Sequence, residues 1–331
     1  METLLLNKEE IGSLIDLDVI LAAVEDGYRS FNSGLVVQPN IMDVTLPGTH
    51  EGVDFKGGLD MGSGYITLKA SSGGFDHNPK LGLPTGMNTV LLFEAKTCAL
   101  KCIMDGTFIT GCRTGAAGAI SVKYLARAEA EKLCVIGAGS QARRQLSAIL
   151  RVRKLSEVRV WDALPEFLDA YVKEMSAETG LMIRKCATAE QAVRGADIVV
   201  TTTRARSGPI VKKEWILPGM HIAAIGADAP GKQELEAGVF AGAKVVNDSL
   251  QLCVARGETR NAVEAGFIRP QDIHAEIGEI ILGKKPGREN PDEVTIFDTV
   301  GMAIQDVVTA AMLYKGALEK GLGTRYEFFK T

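Results

Sequence analysis

The chain has 331 residues, 46% of them hydrophobic and 24% charged, with a net charge of −4. This is the composition of one large globular domain or two with a sizeable core, and the lack of a basic run argues against a nucleic-acid partner. No apolar stretch of about eighteen residues occurs, which argues against a membrane span. The opening segment METLLLNKEEIGSLIDL has no basic region and soon meets acids, so it does not read as a signal peptide, and a cytoplasmic location is expected.

The first half opens with helical signals. In DVILAAVEDGYRSFNSG, Ile20, Val24, Tyr28 and Phe31 recur near helical spacing before Gly34. Short strand-like runs follow, IMDVTL, GYITLKAS, MNTVLLFE and CALKCIMD, with a Gly- and Pro-rich loop at 72–86. This half is predicted to be an α+β unit with a mainly antiparallel sheet. TGCRTGAAGAISVKYLAR, residues 110–127, reads as a helix opened by Arg113 and interrupted by Gly115 and Gly118. Glycine costs about 1 kcal/mol against alanine inside a helix, so another helix or a cofactor is expected to approach that backbone closely.

From Lys132 the chain alternates. KLCVIG, EVRVW, MIRKC, DIVVTTT, HIAAIG and KVVND read as strands, with helices between them such as 165–178. Thr188 and Gln191 fit a capping box. Near-continuous apolar strands in repeated βα units predict a doubly wound parallel sheet covered on both faces. A last helix, about 301–320, has no strand signal after it and is expected to pack back on the first half.

Gly137-Ala138-Gly139-Ser140-Gln141-Ala142 fits G-x-G-x-x-A between a strand and a helix. Gly137 permits the tight turn, Gly139 lets a pyrophosphate approach, and the helix N-terminus offers unpaired N–H groups. Asp162 ends the next strand, 23 residues after Gly139, and is placed to accept from ribose hydroxyls and to repel a 2′-phosphate. NAD(H) is therefore the expected cofactor, with Gly137, Ala138, Gly139, Ser140, Gln141 and Asp162 as its contacts. A glycine turn without a ligand is the bland alternative.

Three other polar residues stand out: Lys69 in an alternating strand, Arg113, and Asp228 just beyond a parallel strand. Arginine grips a carboxylate bidentately and lysine adds a point charge. An aspartate beyond the carboxyl end of a strand is placed for proton transfer at an amine or for steadying an iminium. Each also has a structural reading: a solvated strand lysine, a paired helix arginine, and a cap for a helix after Pro230. The six cysteines (98, 102, 112, 134, 186, 253) and four histidines (50, 77, 221, 274) lack zinc-ligand spacing, so reduced core thiols and no metal are expected.

With LKASSGGFDHNP and GLPT, ITGCRTGAAGAISVKYLA, VIGAGSQARRQL, VVTTTRARSGPIV, IGADAPGKQEL and IFDTVGMAIQDV, the sequence resembles the ornithine cyclodeaminase and mu-crystallin family over nearly its whole length. The resemblance implies a substrate and dimerisation domain, residues 1–118 plus 312–331, with a Rossmann domain, 119–311, inserted into it, and a homodimer. It implies that Lys69 and Arg113 hold a substrate carboxylate and that Asp228, with Lys69 as a second catalytic candidate, serves as acid/base. Thr114, Thr201, Thr202, Thr203 and Gly301 would lie along the nucleotide and nicotinamide. Asn40, Met42, Lys56 and His77 are candidates for shaping the substrate pocket; His77 reads equally as a second-carboxylate ligand or a surface loop residue. VVQPNIMDVTLPG lacks the early arginine of ornithine cyclodeaminases, and the helix and GADAPGKQEL motifs resemble the alanine dehydrogenase and imine reductase branch. The expected activity is an NAD(H)-dependent imine or oxo-acid reductase acting on a small amino or imino acid. Ornithine cyclodeamination and a non-enzymatic nucleotide-dependent binding protein stay open as alternatives.

Overall fold

The computed structural model describes residues 2–204, 206 and 208–328. Two compact units emerge, residues 1–113 with 302–331, and residues 114–301. The divisions fall at 113/114 and 301/302, where the sequence reading put them at 118/119 and 311/312.

The first unit begins with β1 (Glu2–Leu6), α1 (Lys8–Leu14) and α2 (Leu17–Asn32). The strands β2 (Val36–Val37), β3 (Met42–Thr45), β4 (Gly52–Asp60), β5 (Tyr65–Gly73), β6 (Asn88–Glu94) and β7 (Leu100–Asp105) follow, and then α3 (Gly106–Leu125), of which residues 106–113 belong to the first unit and 114–125 to the second. Asp16 caps α2 by accepting from the N–H groups of Asp18 and Val19. The periodic face of α2 buries Ile20, Val24 and Tyr28 completely. The sheet runs β1-β7-β6-β5-β4-β2, with β3 also on β4; β1 lies parallel to β7 and the other pairs are antiparallel. Three of these strands escaped the sequence reading: β1, the two-residue β2 and β4. β1 hides in what looked like a bare apolar run, and its Leu4 and Leu6 are core residues. β4 carries three glycines, which lower strand propensity.

The second unit contains β8 (Lys132–Ile136), α4 (Ser140–Ile149), β9 (Glu157–Trp161), α5 (Pro165–Thr179), β10 (Ile183–Lys185), α6 (Ala189–Val193), β11 (Ile198–Thr201) and β12 (His221–Ala224). It continues through β13 (Lys244–Asn247), α7 (Leu250–Arg256), α8 (Glu258–Glu264), β14 (Ala275–Glu276), α9 (Ile277–Ile281) and β15 (Thr295–Asp298). All eight strands are parallel, in the order β10-β9-β8-β11-β12-β15-β13-β14. The chain thus doubles back between β8 and β11, the switch point of a Rossmann-type sheet. β15 drew no strand expectation, yet all four of its residues are buried in the middle of the sheet. Thr188 accepts from Gln191 N as expected, but the Gln191 side chain turns back to Ala187 N, so the box does not close on Thr188.

The glycines of α3 find their reason here. A Cβ on Gly115 would lie 2.7 Å from the Arg144 carbonyl oxygen of α4, and one on Gly118 would collide with the Gln145 amide. The close approach is by another helix. α3 starts at Gly106, so Arg113 sits inside it rather than opening it.

The first unit closes with α10 (Ala303–Lys320) and β16 (Thr324–Glu327). The expectation that no strand follows the last helix is corrected. Gly321, at φ 65°, ends the helix, and β16 pairs antiparallel with β1. α10 packs on β4: a Cβ on Gly58 would lie 2.8 Å from the Ala303 methyl.

Candidate active site

In the second unit the site forms at the carboxyl ends of β8, β9, β11 and β12. Gly137, at φ 99°, makes the turn out of β8, and a side chain there would press on Thr202 and Thr203. Gly139 is the N-cap residue of α4 and supplies no side-chain acceptor, so the first N–H groups of that helix point outward unclaimed by a cap. Asp162 accepts from Ala138 N at 2.7 Å and from Leu164 N at 2.9 Å, so the carboxylate first orders the glycine turn. Each of its oxygens has a second lone pair to offer. Thr202 is tied to β8 through Ile136 O, and the Thr203 N–H donates to Glu234. Thr201 is fully buried and its hydroxyl is spent on Glu234 at 2.6 Å. Thr114 lies in α3, where its carbonyl accepts from Gln145. Gly301 N donates to the buried Asp248 at 2.9 Å.

Two observations test whether a dinucleotide fits. A Cβ on Gly139 would meet nothing within 4 Å, so the space over the helix N-terminus is open. The side-chain amide nitrogen of Gln141, Nε2, is buried without a protein partner. A dipole end with unclaimed donors, an open approach and a carboxylate one strand away match an anionic diphosphate with its ribose.

Asp228 stands beyond β12, with its side chain 46% exposed and 2.5 Å from Lys232 Nζ. No helix begins at Pro230, and the next helical turn starts only at Ala237, so the capping reading of Asp228 is withdrawn. The loop around it is tethered: Arg256 donates to its carbonyl and Asn261 to that of Lys232.

In the first unit, β4 and β5 pair so that Lys56 faces Lys69 across the ladder. Like charges directly opposite repel, yet both are buried, Lys69 to 1% exposure. The compensation comes from α10. Asp306 is fully buried, 2.7 Å from Lys69 Nζ and 3.1 Å from Arg113 Nε, and Gln305 accepts from Arg113 Nη1 at 2.9 Å. The Gln305 amide donates to the Tyr28 hydroxyl. Burial above all, then Arg113, lowers the Lys69 ammonium to about 7, and Asp306 only partly offsets this. Burial opposes ionisation of Asp306, but Lys69 and Arg113 outweigh it and hold the carboxyl below its usual range. Three basic groups thus act on one carboxylate in a low-dielectric pocket, which favours a second anion.

The structure therefore joins Lys69 and Arg113, and adds Lys56 beside them. His77 is 54% exposed and pairs with Glu51 at 3.0 Å instead of joining that cluster. Asn40 and Met42 are exposed. Asp306, Gln305 and Glu234 were not anticipated. The one available signal was a charged residue, Asp306, within a mostly apolar helix segment.

A serine–histidine pair also exists. Ser121 Oγ lies 3.0 Å from His221 Nε2, and His221 Nδ1 lies 2.9 Å from Thr295 Oγ1. Burial pushes this imidazole down to about 3 and all three residues are inaccessible, so the pair is a neutral core bridge and not a nucleophile. Among the described residues no group of three metal-ligating side chains assembles, and no helix is long and apolar enough to cross a membrane.

Alanine dehydrogenase of Archaeoglobus fulgidus is 41% identical over 330 residues, covering 100% of both chains. The structure of an archaeal alanine dehydrogenase dimer with bound NAD superposes with a TM-score of 0.94 at 40% identity, covering 99% of this chain and 100% of that one. Thermococcus litoralis Δ1-pyrroline-2-carboxylate reductase, solved with NADH and L-proline, gives 0.93 at 34% identity, covering 97% and 99%. A model of the ornithine cyclodeaminase/mu-crystallin family matches residues 1–321. With a Rossmann-type sheet and a family match over residues 1–321, the chain belongs to the ornithine cyclodeaminase/mu-crystallin family.

Proposed function

We propose that this protein is an NAD(H)-dependent reductase of small imino acids, run in either direction between an L-amino acid and its imine or oxo acid. The reading is carried by one observation: a buried pocket in which Lys69, Arg113 and Lys56 surround a single carboxylate, in a chain that also carries a dinucleotide turn. Relatives that reduce a cyclic imino acid or act on alanine support it.

Residues 137–141 would hold the diphosphate and Asp162 the ribose; the bound nicotinamide supplies or accepts a hydride. Lys69 and Arg113 bind and orient the substrate carboxylate, which fixes the α-carbon and removes much of the entropic barrier. Asp228 holds or moves the proton at the substrate nitrogen. His77, exposed and paired with Glu51, does not favour a dicarboxylate, so small monocarboxylic imino acids are the first choice. A homodimer fits the apolar side chains left exposed on the first unit: Val37, Met42, Val44 and Leu46.

The test is NADH oxidation with pyruvate plus ammonia, other small oxo acids with ammonia, and preformed cyclic imino acids. Steady turnover is expected with at least one, and Asp228→Asn lowers kcat about 10²- to 10⁴-fold while NADH still binds. Ammonia release from ornithine without net change in NADH would replace this reading by cyclodeamination.

A further inference from the structure

Glu234 lies outside every role assigned above, yet it is fully buried at the carboxyl edge of the parallel sheet. One carboxylate oxygen accepts from the Thr201 hydroxyl at 2.6 Å and from Gly226 N at 2.8 Å; the other accepts from Thr203 N at 2.5 Å. Thr201 and Thr203 belong to the end of β11, and Gly226 to the end of β12. The bond to Gly226 also closes the loop 226–234, which carries Asp228, upon its own base. Gly226 is matched to this contact, since a Cβ there would lie 2.5 Å from Glu234 Oε1. Glu234 is held in its turn: its own N–H, and that of Leu235, donate to the buried Glu258.

We propose that Glu234 is a positioning residue for the reductase: its carboxylate fixes the peptides at the ends of β11 and β12, and the loop bearing Asp228, in the arrangement that receives the dinucleotide. The proposal rests on the reading of the second unit as the dinucleotide-binding one. Its chemistry is specific. Two main-chain N–H donors approach different oxygens, so an amide fails in either orientation. Glutamine keeps the shape, but its NH2 must face either Thr203 N–H or Gly226 N–H, donor against donor. Burial favours the neutral acid and raises the carboxyl above its usual range. An apolar side chain would fill such a place more cheaply if only packing were required.

The experiment measures NADH affinity by fluorescence titration and kcat with the best imino acid for wild type, Glu234→Gln and Thr201→Val. Val245→Ala, a core change on β13, serves as a control that lowers the thermal midpoint. Glu234→Gln is expected to weaken NADH binding tenfold or more and to lower kcat. Thr201→Val, which removes one of the three donors, is expected to weaken binding severalfold, and Val245→Ala leaves the NADH dissociation constant unchanged. Glu234→Gln folding and binding NADH within twofold of wild type overturns the proposal. If Glu234→Gln does not fold, Thr201→Val decides: unchanged affinity overturns it and weakened affinity supports it. Failure of wild type to bind NADH would instead sink the cofactor reading itself.

Discussion

Lys69 is a lysine that burial holds near neutrality, at about 7 against an ordinary 10.5. The role proposed for it, as partner of the substrate carboxylate, needs the protonated form, whose fraction falls tenfold per pH unit above that value. With a preformed cyclic imino acid, kcat/KM is therefore expected to decline above about pH 7, and Lys69→Arg, always charged, to remove that decline. A wild-type profile flat to pH 9 would show that the ammonium does not bind the substrate. Asp306 is the counterpart. Asp306→Asn leaves buried cations without their anion, which costs about 3–5 kcal/mol when one partner of a buried pair is lost. It also removes the charge that sustains Lys69 protonation, so KM for the imino acid should rise, while NADH affinity, a property of the other unit, stays put. Thermal melts and titrations of the two ligands separate these effects.

At the scale of elements, α3 and α4 approach because two glycines allow it. Gly115→Ala gains about 1 kcal/mol in helix propensity but drives a methyl into the Arg144 carbonyl of the facing helix. Overpacking of this kind costs about 1–3 kcal/mol, so a net loss of stability is expected by denaturant titration; a gain would mean that the helices part without cost. Asp162 joins β9 to the glycine turn. Asp162→Ser should weaken NADH binding by freeing Ala138 N and removing the ribose acceptor, and should shift preference towards NADPH by lifting the repulsion of a 2′-phosphate; the ratio of the two affinities tests it. Both features were readable in advance, because a glycine in a helix and an acid at a strand end break a local pattern. β4 and β15 were not: one is diluted by glycine, and the other is four residues long and only half apolar, Thr-Ile-Phe-Asp.

For the whole molecule, the first unit leaves a patch that water does not favour. β3 is exposed at all four residues, on the edge side of β4, and Met42 and Val44 are more than half exposed. An unblocked edge strand with apolar side chains invites pairing. If this edge carries the proposed homodimer contact, wild type is expected to be a dimer in light scattering and the double variant Met42→Asp, Val44→Asp a monomer. The amino-acid sequence alone determined the parallel unit, the diphosphate turn and the acid after β9, since strand–helix alternation and glycine spacing are written in neighbouring residues. Tertiary structure decided what surrounds the Asp306 carboxylate. Arg113 and Asp306 meet across 193 residues, and Glu234 gathers the ends of two strands. Charge pairing and hydrogen bonding act through space, so residues distant along the chain carry no mark that they will meet until the fold of each unit brings its own partners together.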